Sequence, residues 1–231
     1  MIKVYQIRLK LFLLKNIQAG DVQALIARFI DKSFLQEEKF MVMHEENIYK
    51  NYCYDLLAPL EKDKVYKAEQ IYTLTIRTVD EELADFFYRV CPEISTREFK
   101  GLNAQIRILP KKIIEFIYTL TPVIIKSEDG YWRNTMTPAD FAERLNINLL
   151  KKYKQLTKAD EVDTAQIYSM LEFLNKRPIP MKYKKIKLLG DKVRLSILDD
   201  EFAQELAYLS LGVGIGEMNA RGAGFVNYRW L

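Results

Sequence analysis

Apolar side chains occupy every second position from residue 5 to residue 13 of the chain. A spacing of two predicts a β-strand with one buried face over residues 2–13. Gly20-Asp21 then introduces apolar residues at intervals of three and four, the spacing of a helix with one buried stripe. These residues are Val22, Leu25, Ile26, Phe29 and Ile30.

The pattern continues to about residue 110 with one more helix and three more strands. Short strands are predicted at Tyr52–Leu57 and residues 72–77. Asp80 is a good N-cap for a helix that ends at Cys91-Pro92, because proline disfavours helical geometry in the residue before it. A strand at Gln105–Leu109 completes the order strand, helix, strand, strand, helix, strand, which is the ferredoxin-like arrangement.

The second half is predicted to repeat this order. Glu115–Ile125, Tyr183–Leu188 and Val193–Leu198 are predicted strands, and helices are predicted to begin at Thr137-Pro138 and at Asp199-Asp200-Glu201. Helical material between Thr137 and Asn175 has no counterpart in the first half and is interpreted as an insertion. The expected fold is α+β, with two tandem ferredoxin-like (βαββαβ, RRM-like) domains over residues 1–110 and 111–231.

Charge and cysteine content change this picture only slightly. The net charge is +4 and the isoelectric point is near 8.8, a mild basic excess that permits nucleic-acid binding without requiring it. Cys53 and Cys91 are far apart and match no metal or redox spacing, which favours free thiols and a cytoplasmic location. The N-terminal apolar run is too short and too interrupted for a signal peptide or a membrane span.

Glycine is concentrated near the C-terminus. Five of the nine glycines lie between residues 212 and 224: Gly212, Gly214, Gly216, Gly222 and Gly224. Glycine permits positive φ and lets main-chain amides approach a ligand, as a phosphate-binding loop requires, and Arg221 adds a positive charge. The spacing fits neither the phosphate loop nor the dinucleotide fingerprint.

The sequence Gly214-Ile215-Gly216, five residues, then Gly222-Ala223-Gly224-Phe225 resembles the C-terminal glycine-rich motif of the CRISPR repeat-processing endoribonucleases, the Cas6 family. The position of this motif, between the last helix and the last strand of a second ferredoxin-like half, agrees with that family. The resemblance implies an RNA-binding protein that cuts CRISPR precursor RNA within its repeats. Non-cleaving subunits of CRISPR effector complexes share the fold and a similar loop, and they are the main alternative.

His44 is the only histidine of the chain. The family resemblance implies a catalytic histidine in this region with a lysine a few residues later, which His44 and Lys50 match. It also implies metal-independent attack of the ribose 2′-hydroxyl, giving 2′,3′-cyclic phosphate and 5′-hydroxyl ends. Six residues of continuous helix rotate by about 240°, so the hypothesis requires a bend between the two residues. Tyr49 or Tyr52 could supply a third catalytic group.

Several further expectations concern ligands. Arg221 and the glycine amides are predicted to bind RNA, with phosphate contacts from a basic strand: Lys182, Lys184, Lys185 and Lys187. No cofactor or metal is expected, although the pairs Glu37-Glu38 and Glu45-Glu46 could hold magnesium. Besides CRISPR repeat RNA, possible partners are effector-complex subunits or a second copy of the chain. An alternative of another class is a regulatory ferredoxin-like domain whose glycine loop binds a nucleotide.

Overall fold

The structure is a computed structural model that describes residues 1–127, 130–159 and 165–231. The first half of the chain contains strands β1 (Tyr5–Leu13), β2 (Ile17–Gln18), β3 (Tyr52–Tyr54), β4 (Val65–Tyr66), β5 (Ile71–Thr78) and β6 (Phe99–Ile108), and helices α1 (Ala19–Phe34), α2 (Glu38–Glu45) and α3 (Glu81–Val90). The second half contains strands β7 (Ile114–Thr119), β8 (Tyr168–Phe173), β9 (Ile179–Tyr183), β10 (Ile186–Gly190), β11 (Val193–Ile197) and β12 (Val226–Trp230), and helices α4 (Pro138–Thr157) and α5 (Glu201–Val213).

The first four-stranded sheet is antiparallel and has the order β3-β5-β1-β6, so β1 is one of its two central strands. Side chains alternate along a strand, so the alternating apolar residues of β1 lie on one face, and all of them are buried. Phe29 of α1 and Phe86 of α3 belong to the same core cluster. The strand and the helix predicted from the first apolar patterns are therefore confirmed.

The second sheet has the order β12-β7-β11-β8, and its core includes Leu149 of α4 and Leu206 of α5. If the four strands of each sheet are counted along the chain, both sheets have the order second, third, first, fourth. This order, with two helices packed against each sheet, is the ferredoxin-like arrangement. The predicted fold class is confirmed.

Polar side chains begin the helices where the sequence indicates. Asp80 Oδ1 accepts a hydrogen bond from Leu83 N at 3.0 Å, and Asp200 Oδ1 accepts one from Ala203 N at 2.9 Å. Such caps satisfy amides that have no partner within the first turn of a helix. Thr137 caps α4 in a reciprocal arrangement with Asp140, and Pro138 occupies the first helical turn. All three predicted helix starts are therefore confirmed.

The interpretation of residues 137–175 as an insertion is wrong. Within this segment, α4 and β8 are the counterparts of α1 and β3, because β8 pairs with β11 as β3 pairs with β5. Residues 160–164 lie outside the described part of the chain. The segment added to the second half is instead the hairpin of β9 and β10, which follows β8 and precedes β11 along the chain and forms a separate two-stranded sheet.

Two predicted strands differ from the structure. The strand predicted over Tyr183–Leu188 is broken at Lys184, whose positive φ of 52° makes the turn that joins β9 to β10. The strand predicted over Glu115–Ile125 ends at Thr119, shortly before Pro122, which has no amide hydrogen for a sheet ladder. Alternation alone shows neither where a strand turns nor which sheet it joins.

Arg77 of β5 connects the two halves. Its side chain is 4% exposed, its Nη1 donates a hydrogen bond to Val226 O of β12 at 2.7 Å, and its guanidinium lies 4.6 Å from the centre of the Phe225 ring. The domain boundary near Pro110 stays a prediction, although β6 and β7 on either side of it belong to different sheets. Among the described residues, no helix is long and apolar enough to cross a membrane.

Candidate functional site

The glycine segment (residues 212–224) joins α5 to β12. Gly214, Gly216, Gly222 and Gly224 have φ values of 71°, 66°, 87° and 62°, a region that glycine adopts far more readily than other residues. A Cβ on Gly224 would lie 1.9 Å from Ile215 O, and one on Gly222 would lie 2.6 Å from Cε2 of Tyr54 in the first half. The glycines therefore let the segment fold tightly and pack against the first half.

Three glycine amides of this segment are used inside the fold. Gly214 N donates to Ser210 O, Gly222 N to Asn219 O and Gly224 N to Pro122 O, at 2.8, 2.9 and 2.9 Å. The expectation that these three amides bind RNA phosphate is therefore wrong, because they already donate to protein carbonyls. For the same reason they cannot bind the phosphate of a nucleotide. Contact of RNA with the segment stays a prediction, for which its less buried residues 217, 218, 220 and 221 are the accessible part.

His44 lies in the last turn of α2, within reach of both halves of the chain. Its Nε2 is 3.3 Å from Asp31 Oδ1 on α1 and 3.5 Å from Arg221 Nη2 on the glycine segment. Arg221 also donates to both carboxylate oxygens of Asp31, at 2.8 and 2.7 Å. The structure thus brings together His44 and Arg221, which are separated by 177 residues in the sequence.

Burial lowers the pKa of His44, and the positive charges of Arg221 and Lys50 lower this pKa further, whereas Asp31 opposes them. The imidazole is therefore mostly neutral at pH 7 and can accept a proton. Asp31 was not identified from the sequence. In the sequence it is one of several polar residues of α1, which by itself indicates no function.

The bend that the hypothesis requires between His44 and Lys50 is present. Helix α2 ends at Glu45, and Glu46 has an extended backbone with ψ of 151°. Lys50 Nζ turns back to donate hydrogen bonds to Met43 O and Glu46 O at the end of that helix. Burial lowers the pKa of Lys50, and Arg221 lowers it further.

Tyr49 is held by α4 rather than by α2. Its main-chain amide and carbonyl bond to the side chain of Gln155 at 3.0 and 2.8 Å, and its hydroxyl accepts a hydrogen bond from Asn148 Nδ2 at 3.5 Å. Burial raises the pKa of Tyr49, so the phenol stays protonated near pH 7 and can donate a hydrogen bond. Tyr52, the other candidate, is buried in β3, and its hydroxyl donates to Ala220 O at 3.4 Å.

A cleft of about 720 Å³ opens between residues 46–52, helix α4 and the glycine segment. Six basic side chains and two acidic ones line it, so the cleft favours an anionic ligand. The basic residues are Lys50, Lys126, Arg144, Lys151, Arg221 and the buried Lys152, and the acids are Glu46 and Glu217. Arg144 and Glu217 form an ion pair at 3.4 Å, which leaves the excess of positive charge unchanged.

The predicted basic strand is the β9–β10 hairpin. Lys182 forms an ion pair with Asp21 of α1, and Lys184 lies 5.5 Å from the ring of Tyr183. Lys185 and Lys187 are exposed. On its buried side, Met181 packs with Ala223 of the glycine segment. The hairpin thus lies beside both α1 and the glycine segment, while its lysines stay predicted RNA contacts.

The acidic pairs do not form a cluster with other ligands. Glu37 pairs with Arg89 at 3.2 Å, and Glu45 and Glu46 follow one another at the end of α2. Within the described ranges, no three histidine, cysteine or acidic side chains are grouped as metal ligands. Cys53 and Cys91 are both buried free thiols. The magnesium alternative therefore has no supporting geometry there.

Residues 107–228 match the family model described as CRISPR associated protein Cas6, C-terminal. Similar solved structures include a CRISPR associated protein Cas6, with 22% identity, a TM-score of 0.73 and coverage of 98% of this chain and 99% of that one. An RAMP protein binding different RNA substrates has 17% identity, a TM-score of 0.71 and coverages of 97% and 99%. The product of a Cas6-related gene from Pyrococcus furiosus has 18% identity, a TM-score of 0.66 and coverages of 98% and 98%.

At these identities the solved structures establish the fold, and none of the curated proteins compared with the chain matches it. The family model is the stronger finding, because it extends over more than half of the 231 residues and includes the glycine segment. It confirms the family resemblance that the paired Gly-x-Gly units indicate. The chain belongs to the Cas6 family of CRISPR-associated proteins.

Proposed function

We propose that the chain is a metal-independent endoribonuclease that processes CRISPR precursor RNA within its repeats. The observation that carries the proposal is the meeting of His44, Lys50 and Arg221 beside a cleft with excess positive charge. A neutral imidazole can act as a base, and the cations can stabilise phosphate charge. The similar RAMP protein is described as binding RNA, which supports an RNA ligand for this fold.

In the proposed reaction, the ribose 2′-oxygen attacks the neighbouring phosphorus, and the bond from phosphorus to the 5′ oxygen breaks. His44 takes the proton of the 2′-hydroxyl, while Lys50 and Arg221 stabilise the negative charge of the phosphorane. Burial lowers the pKa of Lys50, which makes its ammonium a better proton donor for the departing 5′ oxygen. The products are a 2′,3′-cyclic phosphate and a 5′-hydroxyl.

Tyr49 remains the third proposed catalytic group. Its raised pKa excludes it as a general base near neutral pH, so its role would be to donate a hydrogen bond to a phosphate oxygen. Arg221 and the exposed lysines of the β9–β10 hairpin are the proposed RNA contacts. They would position the RNA backbone, and hairpin shape with a few base contacts would supply specificity.

One observation favours the alternative of a non-cleaving RNA-binding subunit. His44 Nε2 already lies between Asp31 and Arg221, so the imidazole must exchange a protein partner for the 2′-hydroxyl before it can act. If that exchange does not occur, the same cleft binds RNA and leaves it intact. For either function, we also propose that the protein is cytoplasmic and that it assembles with effector subunits or with a second copy of the chain.

The test is cleavage of the repeat RNA of the host's own CRISPR array in excess EDTA. Native protein should cut at one site and leave a cyclic phosphate, and His44→Ala should lose most of this activity while retaining RNA affinity. Because the chain has no second histidine for a matched variant, the control is the same RNA with a single 2′-deoxyribose at the scissile position, which should resist cutting.

The outcomes separate the two candidate functions. Tight binding of intact RNA by the native protein selects the non-cleaving subunit. Normal cutting by His44→Ala leaves the endoribonuclease in place but removes His44 from the mechanism. Cutting of the 2′-deoxy RNA at the same site overturns the proposed chemistry, because the nucleophile is then not the 2′-hydroxyl.

A further inference from the structure

Lys152 is an ionisable side chain in the interior of the protein, where burial lowers its pKa to about 7. It lies on α4 and is 2% exposed. Its Nζ donates three hydrogen bonds, to Gly214 O at 3.0 Å, Gly216 O at 2.8 Å and Asn219 Oδ1 at 2.6 Å. An ammonium has three donors and no acceptor, so three surrounding oxygens match its full capacity and favour the protonated lysine. A buried lysine without such partners would be costly.

Asn219 extends this contact through the glycine segment. While its Oδ1 accepts from Lys152, its Nδ2 donates to Ile215 O at 2.9 Å and to Ala223 O at 3.0 Å. The amide orientation is thereby fixed from both ends. Asn219 also begins the single 3₁₀ turn that ends at Arg221, and Gly222 N closes that turn on Asn219 O.

The same turn places Arg221 beside His44. From Lys152, contacts run through Asn219 and one turn of backbone to Arg221, and from there to Asp31 and His44. If Lys152 were replaced by an apolar residue, two buried carbonyls and the Asn219 amide oxygen would lose their donor. An unsatisfied buried acceptor is costly, so the segment would rearrange to regain partners.

We propose that Lys152 is a positioning residue for the active site: it holds the glycine segment so that Arg221 stays bound to Asp31 and beside His44. The effect of Lys152 on catalysis rests on the proposed function. The hydrogen bonds between Lys152 and the glycine segment do not, because they exist in the protein without RNA.

Displacement of Arg221 should change the pKa of His44 in a defined direction. The charge of Arg221 lowers the pKa of His44 and that of Asp31 raises it. When Arg221 moves away, His44 loses the repulsion, and Asp31, no longer paired with Arg221, becomes a more effective partner for the imidazolium. Both changes raise the pKa of His44.

The experiment is an NMR titration of His44 in RNA-free protein, which is unambiguous because the chain has a single histidine. Lys152→Met should raise the measured pKa of His44 by about 0.5–1, with Arg221→Gln as the reference for complete loss of the arginine. Combining Lys152→Met with Arg221→Gln should add nothing to the reference shift, because both act through the same charge. Lys152→Arg, which keeps a cation and its donors, should restore part of the native pKa.

Lys151→Met is the matched control, since it removes the same charge from the next position of α4, where the side chain is exposed. It should leave the pKa of His44 unchanged. An unchanged pKa in Lys152→Met, or equal shifts in the two methionine variants, would overturn the proposal. If Lys152→Met does not fold, Asn219→Ser replaces it: a rise toward the Arg221→Gln value supports the proposal, and no rise overturns it.

The titration is independent of RNA cleavage, so the two proposals fail separately. A native protein that does not cut RNA would overturn the proposed function without affecting the pKa comparison. If the native protein cuts RNA, Lys152→Met should lower kcat about tenfold or more with a smaller change in KM, as expected when catalytic groups are displaced by a small distance. A change in KM alone would contradict positioning at the chemical step.

Discussion

Arg221 and Asp31 form a two-point ion pair, at 2.7 and 2.8 Å, that ties the glycine segment of the second half to the first helix of the chain. Both side chains are about 30% exposed, at 29% and 32%. Both hydrogen bonds come from Nη1 of Arg221, which leaves Nη2 of the same guanidinium 3.5 Å from Nε2 of His44. The pair thus fixes the position of the cation that lies beside His44.

Asp31→Asn should weaken this connection. Because the pair is partly exposed, we expect a loss of about 1 kcal/mol, or about 2–4 °C in Tm for a chain of this size. The matched control is Asp21→Asn, also on α1, which breaks the more exposed pair with Lys182 and should cost less. Thermal unfolding of both variants measures the difference. Equal losses would show that the Asp31 pair has no special contribution to stability.

The pH dependence of cleavage should have two limbs. The pKa of His44 is lowered mainly by burial, so the rate should rise with pH through a value below the ordinary 6.5 as the imidazole becomes a base. On the alkaline side the rate should begin to fall at a pH below 10.5, the ordinary pKa of lysine, because burial also lowers the pKa of Lys50. Single-turnover rates measure both limbs. Persistence of the acid limb in the residual activity of His44→Ala would assign it to another group.

The same lowered pKa predicts how stability responds to acid. As pH falls below 6.5, the unfolded chain protonates its histidine before the folded chain does, which favours unfolding. Stability associated with His44 is therefore fully present above pH 6.5 and is lost as the pH falls through and below that value. The Tm of the native protein should fall relative to that of His44→Gln over this range. A parallel pH dependence of the two proteins would contradict this assignment.

Gly224→Ala should be strongly destabilising. The added Cβ would lie 1.9 Å from Ile215 O, and the backbone has a φ of 62°, so both sterics and conformation oppose the change. We expect a loss of roughly 3 kcal/mol or more in urea unfolding. Gly20→Ala is the matched control, because nothing lies within 4 Å of its modified position in α1, and it should stabilise by about 0.5–1 kcal/mol. Similar effects of the two substitutions would refute the packing explanation.

Local patterns predicted the fold well and the contacts of the site poorly. The apolar alternation of β1 and the N-caps Asp80 and Asp200 are local signals, and the structure confirms them. The assignment of α4 to an insertion failed because the pairing of β8 with β11 is a long-range property. Asp31 and Lys152 were missed as functional candidates for the same reason: each gains its role from residues of the glycine segment more than 60 positions away.

The hairpin lysines should differ in their contribution to RNA binding. Lys187 is exposed, whereas Lys182, its partner in the register, is already paired with Asp21. If Lys187 contacts a phosphate, Lys187→Ala should weaken binding uniformly across RNA sequences and reduce the slope of log affinity against log salt by about 0.7–0.9. Lys182→Ala should have a smaller effect, because Asp21 offsets its charge in the free protein. Fluorescence anisotropy over a salt series measures both slopes. An unchanged slope in Lys187→Ala would show that Lys187 does not contact a phosphate of the bound RNA.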